Sequence, residues 1–92
     1  MLIYLSVPYE GRSNIHKLAI LLLREGYQIA MPCRYRYELR DWCSDSDYNL
    51  LQRCDAIYFA TGWVQDAACQ REMHHAINLK KRIFIENHVE PV

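Results

Sequence analysis

Two acidic residues stand where a carboxylate can do chemistry. Glu72 falls about two turns into a helical stretch, on the border of its apolar stripe, with Ala68 and Ala76 one turn before and after it. Small neighbours leave room above a carboxylate for a bound molecule. A partly shielded carboxylate at the edge of a sheet can serve as a nucleophile or a base. The plainer reading is a surface helix residue paired with Arg71 or Lys80, since buried glutamates are rare. Asp47 can meet Glu72 over the same edge as a general acid, or can complete a variant capping box with Ser44. Asp66 is a helix cap first and a ligand contact second, and Asp55, just ahead of a strand, suits a turn.

The segment Ser6-Val7-Pro8-Tyr9-Glu10-Gly11-Arg12 follows a strand and opens into a helix, where free backbone N–H groups and the helix dipole suit an anion. Arg12 can add a charge-assisted contact or sit in solvent. His74 and His75 are adjacent, so they point about 100° apart and do not chelate one ion from one helix face. Cys33, Cys43, Cys54 and Cys69 contain no Cys-x-x-Cys pair, and free structural thiols without a bound metal are expected. Arg34-Tyr35-Arg36-Tyr37-Glu38-Leu39-Arg40 interleaves cations with aromatics, as in base-stacking lids, but equally suits a mobile surface loop.

These residues must be positioned by short alternating elements. Leu2 to Val7 is an almost wholly apolar strand, of the kind buried on both faces of a parallel sheet. Ser13 or Asn14 can cap a helix with Ile15, Leu18, Ala19, Leu22 and Leu23 on its core face, and Gly26 stops it. Tyr27 to Met31 is a second strand, halted by Pro32. Cys33 to Cys43 has no period and reads as a loop. Ser44 to Arg53 is a second helix, Ala56 to Ala60 a third strand, and Thr61-Gly62-Trp63 a turn. A third helix runs from the Asp66 cap to about Lys81 with Cys69, Met73, Ala76 and Ile77 inward, and Arg82 to Glu86 is a fourth strand. The alternation predicts one domain over 1–92, a three-layer Rossmann-like (flavodoxin-like) α/β fold with a four-stranded, mainly parallel sheet. Ligands of such sheets bind beyond the carboxyl ends of the strands, so the loops starting at Ser6, Met31 and Thr61 carry the site.

Eleven basic residues balance eleven acidic ones, which argues against non-specific binding to nucleic acid or anionic membranes. The 51% apolar share suffices for a core, and a chain this small gains from pairing with a second copy. The longest apolar run, Leu18 to Leu23, is too short to span a bilayer. Met1-Leu2-Ile3-Tyr4-Leu5 has no basic leader or cleavage site, so no signal peptide is read and a cytoplasmic setting is expected.

The order of these motifs is similar to a known family. A Ser-x-Pro-x-x-Gly-Arg loop after the first strand is followed by Glu25-Gly26-Tyr27 at a helix end. Then come Asp47-x-x-Leu50-Leu51-x-x-Cys54-Asp55-Ala56-Ile57-Tyr58, Gly62-Trp63, and Asp66 ahead of the helix bearing Glu72. Over nearly its whole length the chain resembles the short nucleoside 2-deoxyribosyltransferase-like domains of phage and bacterial genomes. The resemblance implies that Glu72 is the glutamate that attacks the anomeric carbon of a nucleoside or nucleotide. Asp47 would lie near the base and nucleophile, giving hydrolase or transferase activity without a cofactor or metal. Ser6, Pro8, Gly11 and Arg12 would hold the sugar or its 5′ end, with Gly62, Trp63, Asp66 and Ala68 on the substrate side of the third loop. Relatives are commonly homodimers or larger oligomers whose sites borrow side chains from a neighbour. Val7 and Ala68 stand where many relatives have glycine, and a Cβ there keeps the backbone farther from a ligand. Those departures favour a non-catalytic, nucleotide-binding module that senses or sequesters its ligand.

Overall fold

The computed structural model describes residues 1–36 and 44–86. Four strands, β1 (Leu2–Ser6), β2 (Gln28–Ala30), β3 (Ala56–Phe59) and β4 (Arg82–Ile85), form one sheet in the order β2-β1-β3-β4. Every neighbouring pair is parallel, with Tyr4 beside Ala30 and Ile57, and Ile57 beside Ile83. The helices are α1 (Ile15–Arg24), the single turn α2 (Cys33–Arg36), α3 (Ser44–Arg53) and α4 (Ala67–Asn78). This is the expected three-layer α/β fold, with the strand order of flavodoxin-like sheets up to the fourth strand.

The pleat divides the core. Tyr4, Ala30, Ile57 and Phe59 pack with Leu51 and Cys54 of the α3 end and Ala68, Cys69 and Ala76 of α4. Leu5, Val7 and Ala60 point the other way and pack against Ile15, Leu18 and Ala19 of α1. The two central strands are therefore buried on both faces, which accounts for their unbroken apolar sequence. On the edge strand β4 the pattern fails: Ile83 and Phe84 remain 36% and 38% exposed.

Boundaries differ from expectation where local chemistry decides them. The α1 helix is entered through a 3-10 turn, Tyr9–Asn14, and Asn14 makes no side-chain cap bond. Its other end is as expected. Gly26 takes φ +93°, with Gly26 N–H donating to Leu23 O at 3.0 Å and Tyr27 N–H to Leu22 O at 3.2 Å, a Schellman closure. Cys33 to Arg36, expected as loop, is a helical turn, while 37–43 lies outside the described residues. Leu23 and Ile77, expected inward, are 54% and 57% exposed, because each lies about 100° round its helix from the residue before it.

The expectation of four free thiols is corrected at Cys33, which is disulfide-bonded, whereas Cys54 and Cys69 are free. Spacing rules test for metal motifs, but a disulfide depends on how close the fold brings two Cα atoms. The expectation of reduced thiols, which followed from an expected intracellular setting, therefore fails at this cysteine. Cys54 is buried, its thiol donates to Leu50 O at 3.2 Å, and burial pushes its pKa up to about 11, so it is a packing residue rather than a nucleophile. No helix among the described residues is long and apolar enough to cross a membrane.

The end of α4 repeats the Schellman pattern without a glycine. Lys80 N–H donates to Ile77 O at 3.1 Å and Lys81 N–H to Ala76 O at 3.0 Å, with Lys80 at φ +57°. A side chain costs about 1 kcal/mol in that left-handed conformation. Lys80→Gly is expected to raise the unfolding free energy by about that amount in urea titrations, with an unchanged slope.

Candidate functional site

Residues two apart on a strand share a face, so Tyr4 and Ser6 both aim their hydroxyls at α4. There they meet Glu72, which is 0% exposed. The Tyr4 hydroxyl donates to Glu72 Oε2, and the Ser6 hydroxyl donates to Oε1 at 2.8 Å. A carboxylate removed from water is tolerable only when its oxygens are hydrogen-bonded, and here each oxygen accepts a hydroxyl proton. Ala68 and Ala76, both buried, are the small flanking residues that let the helix sit close enough for these bonds. Glu72 is thus no surface residue.

Asp47 is 1% exposed and on the same side of the sheet, since α3 and α4 cover one face. Its Oδ1 accepts from the Cys33 backbone N–H at 2.8 Å, tying α3 to the chain just past β2. The two acids therefore lie beneath the carboxyl ends of adjacent strands, Asp47 against the segment after β2 and Glu72 against β1.

The loops above them are knitted together by Asp66. Its Oδ1 accepts from Cys69 N–H at 2.9 Å as the cap of α4, while Oδ2 accepts from Tyr9 N–H at 2.8 Å, in the loop after β1. Gly62 sits beside Pro8 and takes φ +92°, a conformation that disfavours any other residue. Trp63 packs on Phe59 with ring centroids 5.0 Å apart. Pro8 is buried, Gly11 is half-buried, and the Arg12 side chain lies outside the described part. The candidate residues on the first and third loops are therefore neighbours, although Ser6 turns its hydroxyl under the sheet to Glu72.

Two participants were not singled out by sequence reasoning. Tyr4 was read only as one residue of an apolar strand; two hydroxyls at i and i+2 facing a helix with one acid were the available signal. Tyr35 donates its hydroxyl proton to Val7 O and accepts from Val7 N–H, pinning α2 to the end of β1. In the Arg–Tyr run this tyrosine is a strut, and residues 37–40 of that run lie outside the described part. Tyr48 of α3 meets His75 of α4 edge-on, centroids 4.8 Å apart. Among the described residues no group of three or more His, Cys, Asp or Glu is placed to hold a metal ion.

Glu72 lines none of three cavities walled by described residues. The first, of about 290 Å³, lies at the carboxyl edge on the α1 side, between Asn14, Lys17 and Leu21 and the strand ends at Thr61 and Glu86. A second, of about 310 Å³, is bordered by Ile15, His16, Met31 and Tyr35. A small apolar third, of about 80 Å³, lies between Leu22, Tyr58 and Phe84. The chain matches no protein-family model, no curated protein and no solved structure.

Removing one donor leaves a buried carboxylate oxygen short of a partner. Tyr4→Phe is expected to cost about 2 kcal/mol of stability in urea unfolding at neutral pH. The penalty should shrink by at least half in a Glu72→Gln background, where no charge is buried. An equal cost in both backgrounds would mean that the hydroxyl does not act through Glu72.

Proposed function

We propose that the chain is a nucleoside 2-deoxyribosyltransferase-like domain that cleaves the bond between C1′ and the base of a nucleoside or nucleotide, with Glu72 as nucleophile. The observation that carries this reading is the Glu72 carboxylate, buried beside the carboxyl end of β1 and held through both oxygens by Tyr4 and Ser6. Such an arrangement fixes the direction of attack, which is what a nucleophile needs.

In the reaction, a Glu72 oxygen forms an ester bond to C1′ as the glycosidic C–N bond breaks through an oxocarbenium-like transition state. The bonding pair leaves with the base, which takes up a proton from Asp47 or from water. Water or a second base then attacks C1′ and displaces the carboxylate, giving hydrolase or transferase chemistry. The loops joined by Asp66 and by the Pro8–Gly62 contact would hold the sugar and any 5′ phosphate.

A second reading has a specific observation in its favour. Glu72 has no exposed surface, and the buried Ala68 and Val7 carry Cβ atoms beside the same loops. Attack therefore requires the cover over Glu72 to shift when substrate arrives. In a non-catalytic nucleotide-binding module the hydroxyl-bound glutamate would instead brace the sheet edge beneath the ligand.

Incubation with a panel of deoxynucleosides and their monophosphates, followed by chromatography for free base, separates the two. The enzymatic reading predicts base release that falls by at least about a thousandfold in Glu72→Gln, the scale on which loss of a nucleophile acts. Release that survives the substitution removes Glu72 from its role. Ligand binding without release in either protein favours the module.

A further inference from the structure

The 290 Å³ cavity takes no part in holding Glu72. It opens at the carboxyl edge of the sheet on the α1 side, whereas Glu72 and α4 occupy the other face. Ligands of parallel sheets bind at this edge, and about 300 Å³ is the lower end for pockets that enclose a small molecule. The lining divides by chemistry into three parts. Asn14 and Lys17, at the start of α1, supply an amide and an ammonium. Thr61 and Glu86, just past β3 and β4, supply a hydroxyl and a carboxylate. Leu18, Leu21 and Ala60 are the apolar part.

The carboxylate is set in place before any ligand arrives. Glu86 Oε1 accepts from Thr61 N–H at 3.1 Å and from Thr61 Oγ at 3.0 Å, and the Tyr58 phenol lies beside it. Glu86 N–H donates to Phe59 O at 2.8 Å, which continues the β3–β4 pairing and fixes the backbone that carries the acid. A carboxylate has about four acceptor positions, so two bonds from Thr61 leave it able to receive an ammonium. Lys17 carries a point charge on a flexible stem, and no ion pair joins it to Glu86. A fixed acid and an adjustable cation therefore face one small space without neutralising each other.

We infer that this cavity binds a free α-amino acid with an apolar side chain. The ligand's ammonium donates to Glu86, and its carboxylate accepts from Lys17 and the Asn14 amide. Its side chain lies against Leu18, Leu21 and Ala60. Both ends of the ligand thus gain charge-assisted bonds, and its apolar part leaves water. Other classes of molecule suit the lining less well. A phosphate ester sets like charge against Glu86, and a diamine sets it against Lys17. A neutral sugar leaves both charges without a counter-charge and the apolar part unused. The inference does not rest on the Glu72 reading, because it uses the opposite face of the sheet. Gly11, which the cavity shares with the loop proposed to hold the sugar, brings no side chain to it.

Amide-resolved NMR titration of the full chain with L-leucine and L-valine tests it. The expected result is saturable shifts at the Thr61 and Glu86 amides with at least one of the two. N-acetyl-L-leucine lacks the ammonium and L-leucine amide lacks the carboxylate, and each should bind at least about tenfold more weakly than L-leucine. Glu86→Gln and Lys17→Met should each weaken amino-acid binding by at least about tenfold as well, with far-UV circular dichroism confirming that the variants are folded. The two derivatives require no change to the protein, so the test stands if a variant unfolds. A deoxynucleoside monophosphate added to the complex should leave the amino-acid shifts in place. Absence of saturable shifts with both amino acids overturns the inference. So does binding of the derivatives as tight as that of L-leucine, or displacement of the amino acid by the monophosphate.

Discussion

One buried carboxylate sets the terms for the rest of the molecule. Glu72 has no access to solvent, and a charge in that position survives only if its oxygens keep their hydrogen bonds. The Tyr4 and Ser6 hydroxyls supply them, which fixes which face of β1 looks toward α4 and how closely that helix approaches. A slip of one residue in β1 would turn Leu5 toward the carboxylate and both hydroxyls away from it, so the same contact that holds Glu72 also specifies the strand's register.

The second acid and the loop network follow from that placement. Asp47 secures α3 to the chain beyond β2, and Asp66 joins the start of α4 to the loop after β1. Together they hold three loops over the carboxyl edge, where a parallel sheet offers its ligand crevice. The other side of the sheet is built more loosely. Among the described residues it has one helix, a small apolar cavity, and the Tyr58 phenol, whose pKa is raised by burial with the Glu86 carboxylate beside it.

Much of the fold was legible because its signals are local. Alternating apolar strands and 3.6-period helices give the layer order, Gly26 marks the α1 terminus, and Asp66 marks the start of α4. The α3 helix closes at Arg53 as expected, where Cys54 N–H donates to Leu51 O at 3.0 Å. What was hidden depends on which side chains meet across the sheet. The Tyr4–Glu72 bond joins residues 68 apart in sequence, and the tie from Tyr35 to Val7 spans 28. The disulfide at Cys33 and the outward turn of Leu23 and Ile77 likewise follow from packing rather than from residue type. The candidate acids were nameable from small flanking residues and motif order, but their burial and their partners needed the third dimension.

The account turns on whether the Glu72 oxygen bonds to a sugar. Acid-quenched mixtures of the protein with deoxynucleosides and their monophosphates, digested and read by mass spectrometry, test this directly. The predicted result is a peptide spanning Ala67–Asn78 that carries one deoxyribosyl group on Glu72, absent when substrate is omitted. A Glu72 that stays unmodified in every mixture, or a sugar attached to a different residue, would contradict it.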